Sequence, residues 1–142
     1  MEENRISFLL NDVVKEMNRQ ADGLLRKKYE ITYSPFLFLL MIQDTENCDV
    51  TRLASSLGVT RGAVSKRLHW FIDRDLVATH KLANDEKRLM ISLTQSGASL
   101  TKAASDFLER KFLKAISRVP DSNQGNLRSE LQSMLHILRS KR

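Results

Sequence analysis

The sequence predicts a mainly α-helical chain with one small β-hairpin, and three observations support this prediction. Apolar residues recur at helical intervals along most of the 142 residues. Two short helical segments separated by a glycine lie in the middle of the chain. Two strand-like stretches, LVATHK and RLMISL, follow them. Together these features predict a winged helix-turn-helix, in which the hairpin forms the wing.

The first two helices are expected to differ in burial. Residues 6–25 place apolar side chains at helical intervals with charges between them, which predicts a long amphipathic helix. The second helix should begin with Ser34 as its N-cap and Pro35 in its first turn. Because segment 36–42 is apolar on every side, this helix should be buried on most of its faces.

The segment 50–73 has the features of a helix-turn-helix. Ala54 is small where the two helices would approach most closely, and Gly58 permits a positive backbone φ in the turn. Thr60 is placed to cap the second helix. Four apolar residues should hold the second helix against the first: Val59, Val64, Leu68 and Phe71.

The hairpin and two further helices complete the chain. The polar segment 82–87, LANDEK, is expected to form a loop of several residues between the two strands. Thr94 is placed to cap a long helix whose apolar stripe ends at Pro120. The last helix should carry one apolar side, formed by Leu127, Leu131, Met134, Leu135 and Leu138.

Basic charge is concentrated in the central and C-terminal parts of the chain. The formal net charge is +6, and residues 49–92 carry 8 basic and 5 acidic side chains. Such basicity is compatible with a nucleic-acid partner. A recognition helix contacts bases mainly through its N-terminal residues, where the helix dipole also favours phosphate. We therefore predict binding to double-stranded DNA, with Arg61 reaching a base edge.

Candidate DNA contacts lie on the second helix of the helix-turn-helix and at the tip of the wing. Gly62 and Ala63 keep the first turn of that helix slim enough to approach bases. Lys87 and Arg88 are suited to phosphate or a narrow minor groove, and Asp85 is suited to orienting a nearby cation. The full candidate set is Thr60, Arg61, Gly62, Ala63, Ser65, Lys66, Arg67, Asn84, Asp85, Lys87 and Arg88.

Two other interpretations of this basic surface stay open. The first is an accessory protein that binds DNA without sequence preference, and the second is a winged-helix module that binds an acidic protein partner. No phosphate-binding loop or nucleophile–base pair is recognisable, so an enzyme is not expected. Cys48 and the three histidines share no ligand-like spacing, so neither a metal nor another cofactor is expected.

The composition also bears on compartment and domain organisation. The single cysteine suits a reducing cytoplasm. No apolar run has the length of about eighteen residues that a membrane span needs, and the N-terminus lacks a signal-peptide pattern. We expect a cytoplasmic single domain, 1–142, with no membrane partner. Its DNA-binding lobe should cover 49–93, with the helix-turn-helix at about 50–73 and the wing at about 77–93.

The central and C-terminal segments resemble the MarR (multiple antibiotic resistance regulator) family of winged-helix transcription factors. The segments that carry the resemblance are VTRLASSLGVTRGAVSKRLHWFIDRDLV, NDEKRLMISLTQSG and the long terminal helices. The resemblance implies a homodimer in which helices of 1–30 and 112–142 form a dimerisation region. It also implies a repressor of a pseudo-palindromic operator with half-sites roughly 10 bp apart, released by a small-molecule effector or an oxidant.

The chain departs from the family pattern at several positions. The family wing usually shows Asp, any residue and Arg, whereas Lys87 follows Asp85 here and Arg88 comes one residue later. Either Lys87 takes the role of the arginine or the hairpin shifts by one residue. Asp75 stands where a glycine is common. Ser7 replaces the cysteine with which one branch senses organic hydroperoxide, so that kind of sensing is not expected.

Overall fold

The computed structural model describes residues 5–140, which form six α-helices and one antiparallel hairpin. The elements are α1 (Ile6–Tyr29), α2 (Tyr33–Asp44), α3 (Val50–Leu57), α4 (Arg61–Asp73), β1 (Val77–Leu82), β2 (Asp85–Leu93), α5 (Gln95–Ile116) and α6 (Gln124–Ser140). The predicted fold class, mainly α with a hairpin wing, is confirmed. Packing divides the chain into two compact units, one ending at Asp106 and one beginning at Phe107.

The core of the first unit joins the helix-turn-helix to α2 and to the hairpin. Phe38 of α2 stacks on Phe71 of α4, with ring centroids 4.3 Å apart and planes inclined by 8°. The buried cluster consists of Phe38, Leu39, Ile42, Cys48, Leu53, Ala54, Val64, Leu68, Phe71, Val77 and Ile91. The prediction that α2 is largely buried is therefore confirmed.

The start of α2 differs from the prediction. The helix begins at Tyr33 with Thr32 at the N-cap, so the prediction of Ser34 as the cap is wrong. The carboxylate of Asp22 in α1 accepts the Tyr33 N–H at 2.9 Å and satisfies one of the unpaired groups of the first turn. Pro35 still lies in that turn, where its missing N–H leaves no intrahelical bond unmade.

Apolar side chains are exposed on α1 and, within the second unit, on α6. Leu25 is the one residue of α1 that is fully buried, while Phe8, Val13 and Val14 stay about half exposed. Along α6, an apolar face is exposed at Leu127, Leu131, Met134, Leu135 and Leu138. Both helices are amphipathic, as their sequences predict, but each leaves its apolar face accessible.

The hairpin is tighter than predicted. Leu82 pairs with Asp85, so Ala83 and Asn84 alone form the turn, and the predicted loop over 82–87 is wrong. Charged residues of 85–87 continue β2 because an exposed two-stranded ribbon accepts polar side chains. The strand register shifts between Lys81 and Leu82, next to the turn.

The long helix α5 begins as predicted and ends earlier. The Thr94 hydroxyl accepts the Gly97 N–H at 3.0 Å, which confirms Thr94 as the cap. Gly97 lies against the backbone of Leu76, and a Cβ there would overlap the Leu76 carbonyl group. The helix ends at Ile116, before the predicted limit at Pro120, and residues 117–121 form turns and a bend instead. Pro120 has no N–H to donate to the Ile116 carbonyl, and its ring would clash with that carbonyl in a continued helix.

Candidate nucleic-acid interface

The turn between α3 and α4 is fixed by local hydrogen bonds. Gly58 has a φ of 68° and a ψ of 34°, and its N–H bonds the last turn of α3. The Thr60 hydroxyl accepts the Ala63 N–H at 3.1 Å and caps α4. Both residues therefore act as predicted, and they set where α4 begins relative to α3.

The helix α4 has one buried face and one exposed face. Val64, Leu68 and Phe71 are buried, as predicted. Val59, by contrast, is 41% exposed, so the prediction that it packs the helix is wrong. Val59 lies in the turn before α4, and the helical period therefore does not extend to it.

The exposed face of α4 carries two cations near its N-terminus. Arg61 and Lys66 are exposed, and within residues 5–140 neither side chain forms a hydrogen bond or an ion pair. Gly62 and Ser65 are also exposed on this helix, and Ala63 is half-buried. No acidic side chain lies in the first turn. This face can therefore offer uncompensated positive charge to an anion at a helix N-terminus, where the dipole adds to it.

Arg67 is placed differently from the other predicted cations. Its Nη2 atom donates to the Ser34 hydroxyl at 3.1 Å and to the Ser34 carbonyl at 3.3 Å. Its guanidinium lies 4.7 Å from the centre of the Phe38 ring. Partial burial lowers the pKa of this guanidinium. Arg67 thus joins α4 to α2, and it does not share the free state of Arg61 and Lys66.

The tip of the wing exposes a turn and a cation. The Asp85 carboxylate accepts the Lys87 backbone N–H at 3.1 Å. Asp85 therefore stabilises the turn itself, in place of the cation side chain that it was expected to orient. Asn84 and the Lys87 side chain are exposed, and Lys87 has no polar side-chain partner within the described residues.

Arg88 is tied to the start of α3. Its Nε atom donates to Asp49 Oδ2 at 3.0 Å, and the other carboxylate oxygen of Asp49 accepts the Arg52 N–H at 2.8 Å. The Arg52 N–H, and after it Arg88, lowers the pKa of Asp49 against the opposing effect of burial. The structure thus separates Lys87 from Arg88, although sequence analysis assigned both the same role.

Sequence analysis missed two exposed residues next to these groups. His69 follows Ser65 by four positions and is exposed on the same face of α4. Lys81 is exposed on β1, close to the turn. Both residues could have been found from the sequence. His69 continues the helical interval of four that joins Arg61 to Ser65, and Lys81 lies close to the hairpin turn.

Other candidate chemistry finds little support in the described part of the chain. Cys48 is buried in the core, and burial raises the pKa of its thiol to about 11. Residues 5–140 contain no group of three or more His, Cys, Asp or Glu side chains that could hold a metal ion. In the same residues, no helix is both long and apolar enough to cross a membrane. Trp70 packs partly against the core, and Arg74 lies 3.7 Å from its ring centre.

Comparison with known proteins gives a consistent result. No family model matches the chain. The organic hydroperoxide resistance transcriptional regulator of Bacillus subtilis is 30% identical over 139 residues, covering 98% of this chain and 92% of the relative. The HTH-type transcriptional regulator MgrA of Staphylococcus aureus is 26% identical over 124 residues, covering 81% and 84%.

Solved structures share the fold. Apo wild-type MarR from E. coli superposes with a TM-score of 0.82 at 19% identity, covering 95% of this chain and 99% of that one. MepR of S. aureus in a DNA complex superposes with a TM-score of 0.71 at 23% identity, covering 96% and 99%. The candidate residues described above therefore lie in a fold that also occurs in a protein–DNA complex.

Proposed function

Because the chain belongs to the MarR family of transcriptional regulators, we propose that it is a homodimeric repressor that binds a pseudo-palindromic operator and leaves it when a signal arrives. Relatives of this chain are transcriptional regulators, and the chain is a DNA-binding regulator and not an enzyme. Homodimer, repressor and effector are the proposed parts of this function. We also propose that the protein is cytoplasmic, where it has access to genomic DNA.

The observation that carries the DNA-binding proposal is the pair of free cations on α4. Arg61 and Lys66 are exposed, and no acidic side chain in the described part of the chain neutralises either of them. A guanidinium at the N-terminus of a recognition helix can donate two hydrogen bonds to guanine O6 and N7 in the major groove. The ammonium of Lys66, five residues further along the helix, is suited to a phosphate. Arg61 is accordingly proposed to specify sequence and Lys66 to position the helix.

The remaining candidates are proposed to support these two. The small side chains on the first turns of α4 allow the helix backbone to approach DNA; these residues are Thr60, Gly62, Ala63 and Ser65. At the wing, Asn84 and Lys87 are exposed, and Lys87 can reach phosphate or the minor groove. The proposed DNA-binding lobe covers residues 49–93.

Exposed apolar surface supports a homodimer. The apolar face of α1 and, separately, that of α6 are accessible in this chain. Contiguous exposed apolar surface on a helix usually marks an interface. Residues 1–30 and 112–142 are therefore proposed as the dimerisation region, which a two-fold operator would match.

The test is selection of bound duplexes from fragmented genomic DNA at physiological salt, with excess random competitor. We expect an inverted repeat with half-sites about one helical turn apart. Arg61→Ala should lose preference for that repeat, and Lys66→Ala should reduce the slope of log affinity against log salt by about two, one for each subunit of the dimer. Lys102→Ala, which removes an exposed lysine of α5, is the matched control and should change neither.

Two results would contradict the proposal. Recovery of fragments without a shared motif would leave only binding that depends on charge. Failure to bind any duplex, together with a stable complex with an acidic protein, would assign the basic surface to a protein partner.

A further inference from the structure

One carboxylate connects the wing to the helix-turn-helix. Asp49 caps α3 through Oδ1, which accepts the Arg52 N–H, and receives Arg88 of β2 on Oδ2. The Asp49 side chain is 12% exposed and that of Arg88 is 38% exposed. The ion pair is therefore only partly open to solvent, and it spans 39 positions of the chain.

The backbone reinforces the same connection. The Ile91 N–H donates to the Cys48 carbonyl at 2.9 Å, and Asp49 forms a β-bridge with Met90. The residues before α3 thus run alongside β2 for a short distance. The ion pair lies at the edge of this contact that is nearer the turn of the hairpin, since Arg88 precedes Met90 in β2.

We propose that Asp49 and Arg88 form a positioning pair that holds the wing at a fixed angle to α3 and so presents Lys87 to DNA. Arg88 is then a positioning residue, and Lys87 is the cation of the wing that contacts DNA. This inference rests on the proposed DNA-binding function. It assigns Arg88 a role different from the phosphate contact that its sequence position indicates.

The chemistry of the two side chains supports this division. An arginine whose Nε is held by a carboxylate donates a charge-assisted hydrogen bond and has part of its charge neutralised. Lys87, the neighbouring residue, is exposed and has no polar side-chain partner in the described chain. Lys81 pairs with Leu89 and Leu82 pairs with Asp85, so residues 86–88 lie in an irregular part of the ladder. Such an irregularity changes the direction of side chains, and here Arg88 contacts Asp49 while Lys87 stays exposed.

The first experiment measures operator affinity as a function of salt for Lys87→Met, Arg88→Met, Asp49→Asn and the double variant Lys87→Met/Arg88→Met. Asn still caps a helix, so Asp49→Asn removes the charge and keeps α3 intact. Arg88→Met and Asp49→Asn should each weaken operator binding about fivefold. This is the largest effect that we expect from the loss of a partly exposed ion pair. The double variant should have the salt slope of Lys87→Met, because Arg88 in this proposal makes no contact of its own with DNA. Lys102→Met is the matched control for loss of one positive charge.

A direct DNA contact by Arg88 would give the opposite pattern. Asp49→Asn would free Arg88 and tighten binding, and the double variant would lose about four units of salt slope per dimer in place of about two. Either result overturns the positioning pair.

A second experiment needs no DNA and separates this inference from the proposed function. Hydrogen exchange of the Ile91 amide reports the contact between β2 and Cys48, and exchange of the Leu68 amide in α4 reports the core. We expect Arg88→Met and Asp49→Asn to increase exchange at Ile91 and to leave Leu68 unchanged. Unchanged exchange at Ile91 in both variants overturns the inference, even if the wild-type chain selects an operator. If the wild-type chain selects no DNA, the proposed function fails while this exchange still shows whether the pair holds the wing.

Discussion

The guanidinium of Arg67 lies 4.7 Å from the centre of the Phe38 ring, which places a cation of α4 against α2. Arg61, six residues earlier, is exposed and has no side-chain partner within residues 5–140. Two arginines of one short helix therefore have different surroundings. Their substitution should affect different properties of the protein.

Arg67→Ala should reduce stability, and Arg61→Ala should not. Loss of the contacts to Phe38 and Ser34 should lower the free energy of unfolding by about 1–2 kcal/mol. A surface change such as Arg61→Ala should stay within about 0.5 kcal/mol of the wild type. Urea denaturation of the two variants checks this, and equal midpoints would contradict it.

Gly97→Ala should be strongly destabilising. A Cβ at this position would overlap the Leu76 carbonyl group, so the start of α5 or the segment before β1 must shift. We expect a loss of about 1–3 kcal/mol, as for other overpacked sites. Gly23→Ala is the matched control, since nothing lies near a Cβ there, and it should stabilise α1 by about 0.5–1 kcal/mol. Thermal unfolding distinguishes the two, and a similar shift for both would argue against the close approach at Gly97.

Asp75→Gly should be tolerated, whereas Asp75→Val should not. Asp75 has a φ of 55°, in the left-handed region, and its carbonyl accepts the Thr94 hydroxyl at 2.6 Å. Glycine adopts this conformation freely and should raise stability by about 0.5 kcal/mol, while valine should lower it by about 1–2 kcal/mol. Melting temperatures of both variants test this prediction. A lower melting temperature for Asp75→Gly than for the wild type would show that the Asp75 side chain itself stabilises the protein.

Cys48 should be unreactive in the folded protein. Burial, and after it the nearby Asp49 charge, raises the pKa of its thiol to about 11, so almost no thiolate exists near neutral pH. A chromogenic disulfide reagent should react with it quickly only after denaturation. Rapid reaction of the native protein would contradict the buried position.

The same thiol should affect stability in alkali. Because the pKa of the thiol is higher in the folded chain than in the unfolded chain, its contribution to the free energy of unfolding is fully present below the ordinary thiol pKa. The contribution should be lost as pH rises through about 11. Cys48→Ala should remove this part of the pH dependence, which denaturation at several alkaline pH values would measure. An identical alkaline slope in both proteins would contradict the shifted pKa.

Features that depend on neighbouring residues were predictable from the sequence. Thr60 caps α4, Thr94 caps α5, and Gly58 takes a positive φ, each for a reason that lies within three positions along the chain. The strand and helix order could also be predicted from periodicity. The buried α2 followed from its apolar composition alone.

Features that depend on distant partners were not predictable. Arg67 meets Ser34 and Arg88 meets Asp49, at separations of 33 and 39 positions. A basic residue in a basic segment gives no sign that a carboxylate or a hydroxyl far along the chain will engage it. The start of α2 was misplaced for the same reason, since the Asp22 carboxylate comes from another helix.

The stacking of Phe38 on Phe71 has a mechanical consequence. Two aromatic rings in a close-packed core cannot slide past each other without opening a void. The helices α2 and α4 should therefore move as one rigid body. A spectroscopic label at Gln43, an exposed residue of α2, would then report displacement of α4 without occupying the exposed face of that helix.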